Sequence, residues 1–108
     1  MGKARPITID TRNFAKAGDA SSFFSAMLNH YSMNATVSAA DAADLSALLK
    51  LHDEYSEKIG AGIDHFEVRK PPQDVPDFSH RCFWIVRTDG SSIDFSFKHC
   101  LEASRRTP

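Results

Sequence analysis

Residues 82–97 read CFWIVRTDGSSIDFSF, and this stretch decides the fold more than any other in the chain. Asp89-Gly90 at its centre is a strong signal for a tight turn. An apolar run, Cys82 to Val86, precedes the turn, and after it Ile93, Phe95 and Phe97 alternate with polar residues. The sequence therefore predicts a β-hairpin of two antiparallel strands, Cys82 to Thr88 and Ser91 to His99.

Two pairing registers are compatible with this turn. With a two-residue turn, Trp84 faces Phe95 across the hairpin. With a three-residue loop and Gly90 in a bulge, Phe83 faces Phe95 instead. In both registers one apolar face packs on helices and the other face is mixed. The residues leave this choice open, and with it the question of which aromatic ring is exposed.

Two helices are predicted upstream of the hairpin. Asp19 is expected to cap a helix from Ala20 to Tyr31, whose apolar residues share one face. Ser38 begins a second helix through a capping-box-like start in which Asp41 replaces the usual Glu, and this helix runs to about Leu51.

A third, short helical turn and two further strands complete the predicted elements. Asp53 is expected to cap the turn, and Gly60 and Gly62 end it. Short β-branched or alternating runs predict strands at Ile7 to Asp10 and Ile63 to Val68. Between the last of these and the hairpin, the proline-rich segment from Lys70 to Asp77 is predicted to be a surface loop.

These elements define an α+β fold. It has a short N-terminal strand, two to three helices and a mainly antiparallel sheet ending in a β-hairpin, with the helices packed on one face. The chain of 108 residues fits one domain, expected over residues 5–101, with a flexible tail at 102–108.

The two cysteines, Cys82 and Cys100, are expected to be reduced thiols. In one hairpin register they fall on opposite faces, and in the other they lie about 13 Å apart, whereas a disulfide needs Cα atoms within roughly 7 Å. His80-x-Cys82 and the adjacent pair His99-Cys100 lack the spacing of zinc knuckles. We expect no metal and no cofactor.

The N-terminal residues lack the apolar core of a signal peptide, and no apolar run is long enough to cross a bilayer, so we expect a cytoplasmic protein without membrane association. The oligomeric state is not specified, and a monomer is favoured. A net charge of -1 argues against a protein that coats nucleic acid by bulk charge. Acidic residues concentrate in 17–57, where a solvated helical face is the preferred interpretation over a device that orients a polyanion.

Basic and aromatic side chains lie on or beside the predicted hairpin, in a combination that could stack bases and meet phosphates. The alternative is that Phe83 and Trp84 are both buried, with solvated charges at the rims. The positions less easily explained by structure are charged or histidine side chains. The predicted contact residues are His65, Arg69, Arg81, Phe83, Trp84, Arg87, Asp94 and Lys98.

An ordered series of motifs runs through most of the domain and resembles the DCL family, named for the plant protein "defective chloroplasts and leaves". In order, the motifs are Asp44-Leu45, Leu48-Leu49, His52, Lys58 to Ile63, His65 to Val68, Arg81-Cys82-Phe83, Val86 to Ser91, Asp94 to Phe97 and Cys100-Leu101. The chain is similar to a stand-alone bacterial member. It departs from the plant pattern at Asp53, where Pro usually follows the His, and at Phe97, where Tyr is frequent.

The resemblance implies RNA-related work without naming a role. The plant member takes part in maturation of plastid ribosomal RNA, a similar domain ends the largest subunits of plant silencing RNA polymerases, and no catalytic residue is established. The leading hypothesis is a non-catalytic RNA-associated or RNA-processing accessory module that contacts structured RNA or an RNA-processing assembly. The alternatives are a protein-protein interaction module and, with lower weight, a hydrolase or nuclease around His65, Asp94 and His99.

Overall fold

The computed structural model describes residues 6–70 and 81–104, with side chains described to Glu102. Within these two ranges the chain forms two small sheets and four helices. In chain order the elements are β1 (Ile7–Ile9), β2 (Arg12–Phe14), α1 (Ala17–His30), α2 (Ala39–Leu49), α3 (Tyr55–Ile59), β3 (Ile63–Arg69), β4 (Cys82–Arg87), β5 (Ser92–Phe95) and α4 (Phe97–Ser104). The predicted α+β class, with helices against one face of an antiparallel sheet, is confirmed.

The hairpin of β4 and β5 adopts the bulged register. Phe83 pairs with Phe95 and Ile85 pairs with Ile93. Gly90 has a φ of 90°, which an L side chain rarely adopts, and Asp89 accepts hydrogen bonds from the backbone and the hydroxyl of Ser91. A three-residue loop therefore sets the pairing, and this loop places Phe83 on the inner face.

The main sheet has the order β3-β4-β5 and is antiparallel throughout. The outer edge of β3 is bonded to the segment that joins α1 to α2. Asn34 donates its backbone N–H to Val68, Val37 donates to Phe66, and Val68 donates to Ala35. These bonds occupy the β3 edge, so β3 is held on both sides.

The core lies between the inner face of this sheet and the helices. Phe66, Phe83, Ile85 and Phe95 come from the sheet and are essentially fully buried. The helices contribute mainly large aliphatic and aromatic residues, which are Phe24, Met27, Leu28, Leu45, Leu48, Leu49, Phe97 and Leu101. Side chains that alternate along a strand point to opposite faces, so the neighbours of these sheet residues form the outer face.

Two helix starts differ from the prediction. Helix α1 begins at Ala17 with Lys16 at the N-cap position, and Asp19 lies in the first turn, where its charge complements the helix dipole. Glu54, not Asp53, precedes α3, and no side chain caps it. The predicted cap of α2 is confirmed, because Ser38 accepts a hydrogen bond from the backbone N–H of Asp41.

The last predicted strand was too long, and its end is a helix. Strand β5 stops at Phe95, and Ser96 caps α4 by accepting the backbone N–H of His99. Phe97, Cys100 and Leu101 are buried at helical spacing, an arrangement that a strand would not produce. The helix continues to Ser104, past the predicted domain boundary at residue 101, while 105–108 lie outside the described residues.

The N-terminal strand is half of a small hairpin, since β1 pairs with β2. Gly60 and Gly62 have φ values of 50° and 125°, which confirms their predicted role in ending α3. The predicted loop beyond Lys70 lies outside the described residues. Within residues 6–70 and 81–104, no helix has the length and hydropathy needed to span a membrane.

Candidate functional site

The face of the main sheet opposite the helices is a half-buried, polar surface. The register aligns it in three rows across the strands: His65–Val86–Ser92, Glu67–Trp84–Asp94 and Arg69–Cys82. We call these eight residues the outer sheet face. Trp84 lies at its centre, and it is the single tryptophan of the chain.

A hydrogen bond and a cation–π contact hold Trp84 in place. Its indole Nε1 donates to the backbone carbonyl of Lys70 at 3.0 Å. The guanidinium of Arg69 lies over the ring, 5.4 Å from its centroid, within the range of a cation–π contact. The same guanidinium crosses the sheet and donates to the hydroxyl of Ser92 at 3.1 Å. The ring and the guanidinium together form a platform of two flat groups.

The charges of the outer sheet face are balanced within it. Glu67 accepts hydrogen bonds from His65 at 2.7 Å and from Arg69 at 2.8 Å. His65 is also bonded through its other ring nitrogen to Asp64 at 2.6 Å. Bonds to two carboxylates raise the pKa of His65, the bond to Glu67 having the larger effect. The bond from His65 in turn lowers the pKa of Glu67.

The structure brings four of the predicted contact residues onto this one face: His65, Arg69, Trp84 and Asp94. The other four lie elsewhere. Phe83 is 1% exposed and belongs to the core, so a base could reach only Trp84 of the two rings. Glu67, which links the two cations of the face, was missed because a carboxylate in an alternating strand resembles any solvated residue.

Arg87 and Arg81 are used in internal bonds. The Arg87 guanidinium donates to the backbone carbonyls of Lys58 and Glu57 and to the hydroxyl of Ser91. It thereby satisfies carbonyls in the last turn of α3 and ties that helix to β4. Arg81 donates to the carbonyl of Tyr31 at 3.1 Å. Lys98 is an exposed residue of α4, outside the outer sheet face.

A second group of polar side chains was not predicted. His52 follows α2 and is buried, and its pKa is lowered first by burial and then by the nearby His99. The two imidazole rings have centroids 4.5 Å apart, and Asp53 bonds His99 at 2.9 Å. Asp53 and His99 are 46 positions apart in the chain. They are in contact because Ser96 caps a helix where a strand was predicted.

The hydrolase arrangement around His65, Asp94 and His99 does not form in the described part of the chain. His65 is bonded to Asp64 and Glu67, and His99 is bonded to Asp53. Both cysteines are free, as predicted. Burial raises the pKa of Cys82 to about 11 and that of Cys100 to about 12, so neither thiol is a reactive thiolate at neutral pH.

Similar proteins come from plants and from a bacterium. Protein EMBRYO DEFECTIVE 514 of Arabidopsis thaliana is 31% identical over 101 residues, which cover 93% of this chain and 48% of that protein. Protein DCL, chloroplastic, of Solanum lycopersicum is 42% identical over 59 residues, covering 54% of this chain and 25% of the relative. The chain thus spans about half the length of the first relative and a quarter of the second.

Two further likenesses bear on function and fold. DNA-directed RNA polymerase IV subunit 1 of Arabidopsis thaliana is 32% identical over 75 residues, covering 69% of this chain and 5% of that subunit. The solution NMR structure of an uncharacterised protein from Rhodospirillum rubrum superposes with a TM-score of 0.78 at 45% identity, covering 93% of this chain and 91% of that one.

A family model matches residues 25–101, from the middle of α1 to the buried Leu101 of α4. The matched range contains the whole outer sheet face and the His52–His99 pair. This chain therefore belongs to the family described as Protein of unknown function (DUF3223).

Proposed function

We propose that this chain is a non-catalytic, RNA-associated accessory module, and that it contacts single-stranded RNA through the outer sheet face. The observation that carries the proposal is the position of Trp84. It lies at the centre of a polar sheet face with the Arg69 guanidinium over its ring. Unstacked bases are recognised on aromatic rings and on guanidinium planes.

Stacking is the proposed source of affinity because the charges of the face are already paired. Arg69 and His65 share Glu67, and Asp94 lies directly across from Trp84 on the neighbouring strand, where its negative charge repels a phosphate. A phosphate group must compete with Glu67 for either cation. Binding by stacking also agrees with a net charge of -1, which gives no bulk attraction to a polyanion.

The relatives support an RNA context. One of them is a DNA-directed RNA polymerase subunit, and this chain is similar to a small part of it. A module that is similar to part of a polymerase subunit fits an accessory role, in which the domain holds RNA for another protein to act on. Ribosomal RNA fragments are the first ligands to test.

Intrinsic fluorescence tests the proposal, since Trp84 is the only tryptophan. We expect single-stranded RNA to quench it in a saturable way, and a duplex of the same sequence to quench it less. If two cations of the outer sheet face contact phosphates, the salt dependence of single-strand binding predicts that the affinity falls roughly sevenfold when the salt concentration rises from 50 to 200 mM. Absence of quenching by any RNA, or a loss of a thousandfold or more with salt, would contradict the stacking proposal.

A protein-contact module is the second candidate, and the same charge balance favours it. Glu67 and Asp94 flank Trp84 as cross-strand neighbours, and a central aromatic residue within a neutral polar surface is typical of protein interfaces. A nuclease-resistant partner captured by the wild type, but not by Trp84→Ala, would favour this candidate over RNA.

A further inference from the structure

His52, Asp53 and His99 form a compact group of nitrogen and oxygen donors at the junction of α2, α3 and α4. Their donor atoms all lie within 4.8 Å of one another. One carboxylate oxygen, Oδ1 of Asp53, lies 3.3 Å from Nδ1 of His52 and 2.9 Å from Nε2 of His99. Three possible ligand atoms, from two separate parts of the chain, are therefore clustered at this junction.

The fold holds this group from both sides. His52 donates its backbone N–H to Leu49 at the end of α2, and its side chain is only 4% exposed. On the other side, Ser96 caps α4, and the buried Cys100 fixes the rotation of that helix. His99 therefore approaches His52 from a packed helix and not from a loop.

We propose that His52, Asp53 and His99 bind one divalent transition-metal ion, with Zn²⁺ as the occupant. Zn²⁺ binds imidazole nitrogen and carboxylate oxygen at about 2.1 Å in a tetrahedral arrangement, so neighbouring donors lie about 3.4 Å apart. The observed separations of 3.3 and 2.9 Å from the shared carboxylate oxygen are close to that value. Three protein ligands leave a fourth position for water or an external ligand.

The donor set also determines which ions are excluded. Two imidazole nitrogens suit Zn²⁺ and its transition-metal neighbours, whereas Mg²⁺ and Ca²⁺ prefer oxygen ligands. An alkaline-earth ion is therefore the matched negative control. His30, an exposed histidine at the end of α1, provides a control residue of the same type outside the group.

Metal binding requires hydrogen bonds of both imidazole rings to be exchanged. Nδ1 of His52 now accepts the backbone N–H of Glu54 at 2.9 Å, so its lone pair is unprotonated, and the metal replaces the amide as its partner. Nε2 of His99 lies 2.9 Å from Asp53, and when it binds the metal the neutral ring carries its proton on Nδ1. The Glu54 amide thereby becomes a specific reporter of occupancy.

The test is a titration of the full chain with Zn²⁺, followed by calorimetry and by backbone amide NMR. We expect one equivalent to bind, with the Glu54 amide among the most shifted resonances and no comparable response to Mg²⁺. Asp53→Asn and His99→Gln should each lower the Zn²⁺ affinity by about tenfold or more, and His30→Gln should leave it unchanged.

Both test positions are partly exposed, and the amide spectra without metal verify that the variants remain folded. The proposal is overturned if the wild type binds no stoichiometric Zn²⁺. It is also overturned if His99→Gln binds as tightly as the wild type, or if the shifted amides lie away from 52–54 and 99. None of these results depends on RNA binding.

Discussion

Replacement of Arg12 by alanine should destabilise the protein more than replacement of its partner, Asp44. The guanidinium donates to both carboxylate oxygens of Asp44, at 3.2 and 3.0 Å, and lies 4.3 Å from the centroid of the Phe23 ring. The two ends of the pair differ in exposure, because the Asp44 side chain is 6% exposed and that of Arg12 is 42% exposed.

The difference in exposure sets the magnitudes. Arg12→Ala leaves a buried carboxylate without its cation, a change that we expect to lower the free energy of unfolding by about 2–3 kcal/mol, below the range for fully buried pairs because water reaches the site. Asp44→Ala leaves a guanidinium that can turn to solvent, and alanine favours the helix, so we expect a loss of about 1 kcal/mol or less.

Urea denaturation of both single variants and the double variant measures the pair directly. The double variant should be more stable than Arg12→Ala alone, since it removes the stranded carboxylate. Lys50→Ala, which breaks the exposed pair with Asp10, is the control and should show no measurable change. Equal losses for the two single variants, or a double variant with the sum of both losses, would refute the reasoning.

Three further predictions concern the sheet and its flanking turn. Phe83→Ala should lower the free energy of unfolding by about 3–5 kcal/mol in the same assay, because the ring is buried in the core; a loss below about 1 kcal/mol would place it at the surface. His65 has a raised pKa and Glu67 a lowered one, so the hydrogen bond between them should stabilise the fold at pH values between these two folded-state pKa values. The stabilisation should weaken as the pH rises through the pKa of His65, or as the pH falls through the pKa of Glu67. Two-dimensional NMR titration checks this, and a His65 pKa at or below its ordinary value would contradict it. Gly60→Ala should destabilise the protein by about 1–2 kcal/mol or more, because φ is 50° and the added Cβ would lie 2.8 Å from Nε of Arg87; an unchanged urea midpoint would disprove the strain.

Local signals were sufficient to predict much of the fold. Asp89-Gly90 predicted the hairpin, Ser38 predicted the start of α2, and Gly60 predicted the end of α3. Each of these depends on residues within a few positions of one another. Helix α4 was missed because the alternation of Phe95 and Phe97 continues the strand pattern just as well as it begins a helical one.

The site was less predictable because it depends on the register and on distant partners. The half-buried position of Trp84 on the outer sheet face and the burial of Phe83 follow from a three-residue loop that the sequence left undecided. Arg87 was interpreted as a phosphate contact, and only the positions of the α3 carbonyls show how its guanidinium is used. The group formed by His52 and His99 joins residues from two helix boundaries, one of which was predicted as strand.

The most direct test of the central claim is the affinity of Trp84→Ala for single-stranded RNA, measured by the anisotropy of a labelled oligonucleotide. Stacking of one base contributes about 1–3 kcal/mol, so we expect a loss of roughly five- to 150-fold. Lys98→Ala, which removes an exposed cation of α4 outside the outer sheet face, should change the affinity little. Unchanged affinity in Trp84→Ala, or an equal loss in both variants, would contradict a binding surface centred on Trp84.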